Sequence, residues 1–220
     1  MTRAVLWDMD GVLVDTGPLH FQTWKDALAP MGVALTPELF RATFGMNNVG
    51  VLTTLLGRAP EPELAARVGD AKELAFREAI RGQARPLPGV VTWLRRLRAQ
   101  GFRQAVASSG PPENIAALID ELGLRPYFDA LVSGAGHAGK PDPYVFVEAA
   151  RQLGVKPAGC VVVEDAVTGV EAARRAGMGC IAVTNTNPAS ALGAADVVVD
   201  NLEDLPEGIF SDLLADQKRG

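Results

Sequence analysis

Six short apolar runs, at residues 3–7, 104–107, 130–132, 160–163, 180–183 and 197–199, constrain this chain more than any other feature. None alternates with polar residues, so each reads as a strand buried on both faces, the condition of a parallel sheet covered by helices. The stretches between them carry helical periodicity. After the second run, Ile115, Leu118, Ile119 and Leu122 share a face and Gly123 closes the pattern; after the third, Val145, Phe146, Ala149 and Leu153 do the same before Gly154. Helices crossing between parallel strands follow from this. The predicted class is α/β, a Rossmann-like parallel sheet core flanked by helices.

Residues 18–82 interrupt that rhythm, because no strand-like run occurs there. Leu19, Trp24, Leu28 and Met31 form a stripe ended by Gly32, Thr36-Pro37-Glu38 has the composition of a helix start, and helical patterns at 48–56 and 60–80 end at Gly57 and Gly82. The boundary Arg85-Pro86-Leu87-Pro88-Gly89 precedes a return to α/β with a helix at 90–98. We therefore expect an inserted helical cap domain at 15–85, with 1–14 and 86–220 forming the α/β core and hinges at 14–18 and 82–87. The length, 220 residues, suits one domain carrying a smaller insert. The tail from Pro206 is expected to fray after a short helix.

Composition removes several function classes. Lys plus Arg number 21 against 26 Asp plus Glu, a net charge of −5, which lacks the basic face that nucleic-acid binding needs. Cys160 and Cys180 each lie inside an apolar run and read as small buried residues, not as a disulfide framework. The apolar stretch before Asp8 is too short for a signal peptide, and nothing approaches a membrane span. The expectation is a cytoplasmic monomer with no nucleic-acid or membrane partner.

Chemistry gathers where the runs end. In an open parallel sheet, ligands bind beyond the carboxyl ends of the strands, and the first run enters Asp8-Met9-Asp10-Gly11-Val12. Alone, that segment also fits an acidic turn, although Gly11 comes too early for a calcium loop. The fourth run leads into Glu164-Asp165, the second into Ser108-Ser109-Gly110, and the segment after the third into Lys140, stiffened by Pro141 and Pro143. Four carboxylates facing one point require a cation. Mg²⁺, which takes one or two carboxylates with waters and phosphate oxygens, is the natural candidate. Ser108, Ser109 and nearby backbone N–H groups suit phosphate oxygens, with Lys140 as a fixed charge. A proton on Asp10, favoured by the crowded acids and opposed by the metal, would leave the site neutral toward an anion.

In this order the motifs resemble the haloacid dehalogenase superfamily of aspartate-nucleophile phosphotransferases, over nearly the whole chain. Asp8-Met9-Asp10-Gly11-Val12 is similar to its first motif, Ser108 to its second, Lys140 to its third and Glu164-Asp165 to its fourth. The insert resembles the helical cap of the group containing phosphoglycolate phosphatases and β-phosphoglucomutase, with Asp15-Thr16-Gly17-Pro18-Leu19-His20, Trp24 and Lys25 similar to its opening. The resemblance implies a phosphatase of a small phosphorylated metabolite. Asp8 would become an aspartyl phosphate, and Asp10 would serve as acid and then base. Ser108, Ser109 and Lys140 would hold phosphoryl oxygens. Mg²⁺ would be bound by Asp8, the Asp10 carbonyl, Asp165, and Glu164 directly or through water. An acid at position 10 argues against dehalogenation, since a halide leaves unprotonated.

His20 and Lys72 fall where related caps place polar substrate contacts, and Asn47 and Asn48 stand where β-phosphoglucomutase carries an arginine for a second phosphate. Gly110-Pro111-Pro112 replaces the polar or basic residues common after the second motif. With Asn48 counted as a substrate contact, these departures point to a monophosphate of a sugar or polyol. The alternatives are a phosphosugar mutase and a catalytically silent binding protein, which would be expected to lack Asp8 or Asp10.

Overall fold

The computed structural model describes residues 2–216. Its centre is a six-stranded sheet, all parallel, in the order β3-β2-β1-β4-β5-β6. The strands are β1 (Ala4–Trp7), β2 (Arg103–Ser108), β3 (Ala130–Ser133), β4 (Cys160–Glu164), β5 (Gly179–Val183) and β6 (Val197–Val199). Each run read from the sequence becomes one of them, with ends within one residue of expectation. From β1 the chain fills β2 and β3 on one side and then β4 to β6 on the other. Such a reversal opens a crevice at the carboxyl ends of the strands on either side of it.

Between β1 and β2 lie α1 (Gly17–Leu28), α2 (Pro37–Thr43), α3 (Asn48–Leu56), α4 (Pro62–Ala79) and α5 (Val90–Ala99). The stripe from Leu19 to Met31 is not one helix. It ends at Leu28 and continues as a 3₁₀ turn, Ala29–Met31, because Pro30 has no N–H to extend the α pattern. The Thr36 hydroxyl accepts the Leu39 N–H at 3.3 Å, as its place before Pro37 suggested. Trp24, Leu28, Leu35, Val51, Leu52 and Val68 form an apolar cluster belonging to this helical stretch. At the end of α4, however, Phe76 and Ile80 join the core of the sheet. The two crossings between stretch and sheet run side by side, with Val14 bridged to Pro86 and the Leu87 N–H donated to the Leu13 carbonyl at 2.9 Å.

After β2 come α6 (Pro112–Glu121), α7 (Tyr144–Leu153), α8 (Val167–Arg175) and α9 (Ile209–Asp216). Burial on both faces accounts for the continuous apolar runs. Val5, Trp7, Val106 and Val163 point to the face covered by α5, α6 and α9. Ala4, Leu6, Ala107 and Val162 point to the other, against α7 and α8. Cys160 and Cys180 are buried and unpaired, and burial pushes the Cys160 thiol up to about 12, so it stays a neutral filler. Among the described residues no helix is long and apolar enough to cross a membrane. The fraying expected at 217–220 lies outside the described residues.

Candidate active site

Asp8 follows directly on β1 and still donates its N–H to the Val163 carbonyl at 2.9 Å, so the flanking strand fixes where its side chain begins. The chain then curls, with the Leu13 N–H on the Met9 carbonyl at 2.9 Å and the Gly11 N–H on the Val14 carbonyl at 2.8 Å. Gly11 has φ of +83°, and a Cβ there would lie 1.9 Å from Asp165 Oδ2. Backbone conformation and the neighbouring acid thus both require glycine.

At the end of β4, fully buried Glu164 engages both carboxylate oxygens with fixed partners. Oε2 accepts the N–H groups of Asp165 and Ala166 at 2.8 Å each, and Oε1 accepts Lys140 Nζ at 2.5 Å. Lys140 also donates to Asp8 Oδ1 and lies 4.9 Å from the Phe146 ring centroid. Its side chain is 6% exposed, so it is a buried clamp and not a solvated surface lysine. Ser108 Oγ accepts the Gly110 N–H at 3.1 Å. It does not cap α6, which instead starts from Pro111 and Pro112, residues that offer no N–H. Asp165 Oδ2 accepts the Thr186 hydroxyl, supplied by the loop after β5. Asp8, Ser108, Ser109, Lys140, Asp165 and Thr168 share one recess of about 40 Å³.

The electrostatics follow from this crowding. Burial pushes the Asp8 carboxyl up to about 7, with Lys140 pulling against it and Glu164 and Asp10 adding to it. Burial, Glu164 and Asp8 raise Asp165 well above the usual range. Burial alone would depress Lys140, but Asp8 and Glu164 outweigh it and keep the ammonium charged. Asp10 behaves differently. Burial would raise it, yet hydrogen bonding and charge from His20, the Thr16 hydroxyl and Lys72 hold it below its ordinary value. The proton that carboxylate crowding would favour on Asp10 is therefore disfavoured here, because its side chain turns to Thr16 and stands 3.5 Å from His20 Nε2.

A second chamber, of about 450 Å³, opens between the helical stretch and the sheet. Lys72, 3% exposed, donates to Glu73 at 3.0 and 3.1 Å and sits 2.9 Å from His20 Nδ1. The His20 ring stacks on Phe76 at 4.0 Å. Glu73 Oε2 in turn accepts Asn114 Nδ2 at 2.5 Å, and Asn114 Oδ1 accepts Arg77 Nη1 at 2.8 Å. A continuous polar chain thus runs from Asp10 through His20, Lys72 and Glu73 of the helical stretch to Asn114 on α6. Asn48 lines the chamber with its amide against Gly69, and Asn47 caps α3 by accepting the Gly50 N–H at 2.9 Å. Thr16, Glu73, Asn114 and Thr186 were not anticipated. Thr186 follows a strand end, the signal that found the others; Glu73 and Asn114 carry no local mark.

Among the described residues no three acidic, histidine or cysteine side chains form a ready metal cage. Asp8, Asp10, Glu164 and Asp165 all line the recess, with Asp10 also bonded to Thr16 and Glu164 to Lys140 and two backbone N–H groups. Residues 2–177 match the family described as haloacid dehalogenase-like hydrolase. The chain belongs to that family. This haloacid dehalogenase-like hydrolase is 35% identical over 189 residues to fructose-1-phosphate phosphatase YqaB of Escherichia coli, covering 82% of this chain and 95% of the relative. It is 31% identical over 213 residues to β-phosphoglucomutase of Bacillus subtilis, covering 92% and 91%. The crystal structure of CbbY from Rhodobacter sphaeroides in complex with phosphate superposes with a TM-score of 0.83 at 28% identity, covering 93% of this chain and 96% of that one. The chain spans 55% of the length of a chloroplastic phosphatase of Arabidopsis thaliana that it also matches at 29% identity.

Proposed function

We propose that this chain is a Mg²⁺-dependent phosphatase of a small phosphorylated metabolite, acting in the cytoplasm through an aspartyl phosphate on Asp8. Residues 15–85 serve as a cap over the core. The observation that carries the reading is Lys140 clamped between Asp8 and Glu164 at the carboxyl end of the central strand, in one recess with Ser108 and Asp165.

Asp8 attacks phosphorus in line, forming an acyl phosphate as the ester P–O bond breaks. Asp10, which rests ionised beside His20 and Thr16, takes up a proton as the substrate dianion binds, gives it to the leaving alkoxide, and later takes one from the water that cleaves the intermediate. Lys140 orients Asp8 and balances charge on the phosphoryl oxygens. The Ser108 oxygen already accepts the Gly110 N–H, so its own proton is left for a phosphoryl oxygen, with Ser109 beside it. Glu164 acts through Lys140, as a positioning residue and not as a metal ligand. An all-oxygen donor set with two buried, charge-crowded carboxylates fits a hard cation that keeps several waters. Asp8, Asp165 and the Asp10 carbonyl would hold Mg²⁺, which when bound supplies charge stabilisation to the transferring phosphoryl group.

The similarity to β-phosphoglucomutase favours a mutase as the second reading. Against it stands the chamber, which no arginine lines among the described residues and where Lys72 is already paired with Glu73.

Asp8→Asn is expected to lower turnover of p-nitrophenyl phosphate by at least about 10³-fold while leaving the circular dichroism spectrum unchanged. Beryllium fluoride is expected to decorate Asp8 in the parent protein. Retained turnover in the variant would overturn the nucleophile assignment.

A further inference from the structure

We propose that the alcohol this enzyme releases is uncharged and carries an aromatic body, so that the substrate class is the monophosphates of aryl-bearing alcohols; this rests on the phosphatase reading above. The chamber that would receive the alcohol has about 450 Å³, within the lower range of small-molecule pockets. Its walls include the half-buried Phe40 and Phe44, with Trp24 and Phe76 buried behind Lys72 and His20, and Phe44 also lines the catalytic recess next to the leaving group. Met46 and Val49, 48% and 53% exposed, extend that apolar surface.

The polar groups in the same walls are mostly committed elsewhere. Thr43 Oγ1 donates to carbonyls of its own helix at 3.1 Å, Asn47 caps α3, and Asn114 is held by Glu73 and Arg77. The one lysine is neutralised by Glu73 at 3.0 Å. A polyol buried here would depend on Asn48, Ser109 and His137 for its hydroxyls, and each hydroxyl left unpaired is penalised. A second phosphate would find, among the described residues, no lining lysine or arginine free of a carboxylate partner. A flat apolar body, by contrast, gains edge-to-face and sulfur contacts from the Phe40, Phe44 and Met46 side chains. The Asn48 amide, which makes no hydrogen bond to the protein, can serve one polar substituent.

The test compares 2-phenylethyl phosphate with glycerol 3-phosphate and glucose 6-phosphate, all monoesters of primary alcohols, in the presence of Mg²⁺. The expected kcat/KM is at least about tenfold higher for the aromatic ester; an equal or lower value overturns the proposal. Failure of the phosphatase reading looks different, since none of the three, nor p-nitrophenyl phosphate, would then be hydrolysed. Calorimetry with 2-phenylethylphosphonate against 3,4-dihydroxybutylphosphonate reads the chamber without turnover. Tighter binding of the aromatic phosphonate is expected, and equal binding overturns the assignment. Phe44→Asn is expected to erase most of the aromatic preference and Met46→Gln, at a more exposed position, part of it. A preference unchanged in both variants overturns it too.

Discussion

Gly169→Ala sets two physical rules against each other. Gly169 is the third residue of α8, where alanine in place of glycine ordinarily stabilises by about 1 kcal/mol. Here the new Cβ would lie 1.8 Å from Glu164 Oε1 and 1.9 Å from its Cδ. The carboxylate has no exposure and cannot swing into solvent, so it must give up the Asp165 and Ala166 N–H groups and Lys140. Breaking one side of a buried ion pair costs roughly 3–5 kcal/mol, a figure that already contains much of the loss of its hydrogen bonds. Against the helix gain, the net loss is about 3 kcal/mol. At about 2–4 °C per kcal/mol for a chain of this size, Tm falls by about 6–12 °C. Calorimetric melting measures this, and a cycle with Glu164→Ala isolates its origin. On that background the same glycine substitution becomes neutral or stabilising by up to about 1 kcal/mol. A single variant that melts at or above the parent, with turnover within about twofold, would refute the idea that Glu164 is pinned against α8.

Two further outcomes follow from the geometry. Asn114→Ala removes the link from α6 to Glu73 and Arg77 of α4 and is expected to lower kcat/KM by about tenfold, chiefly through KM, since charged hydrogen bonds of this kind contribute about 1.5–3 kcal/mol; Asn114→Asp should be worse, because it faces Glu73 with like charge, and steady-state kinetics showing the reverse order would contradict the link. Chelation with EDTA is expected to abolish turnover reversibly, and Mg²⁺ at about 100 times its Kd should raise stability by about 2.7 kcal/mol; Asp165→Asn should lose that thermal increment, and a variant that keeps it would remove Asp165 from the metal site.

Much of this architecture is legible in the sequence because two-sided burial leaves a local mark. A parallel strand between helix layers has no polar alternation, so the six runs could be placed within a residue, and the strand-end rule then located Asp8, Ser108, Lys140 and Glu164. What escaped is the pairing between distant side chains. Lys72 meets His20 across 52 positions and Asn114 meets Glu73 across 41, and no spacing rule encodes such contacts. The distribution of the acids was also hidden: four carboxylates at strand ends look equivalent in a list of residues. Only in three dimensions does Glu164 turn to backbone N–H groups, while Asp10 turns to Thr16. The break after Leu28 was written in Pro30, whose missing N–H outweighs the apolar stripe that continues to Met31.

The central position of β1 has a consequence for synthesis. It is the first strand made, yet its hydrogen-bonded neighbours lie at residues 103–106 and 160–163. On the ribosome Asp8 therefore emerges long before the strands that flank it, whereas α1 to α4 gather around contacts close in sequence and can condense sooner. A nascent chain thus completes its helical stretch before its sheet, and the recess around Asp8 takes shape only when the strand bearing Glu164 slides in beside the first.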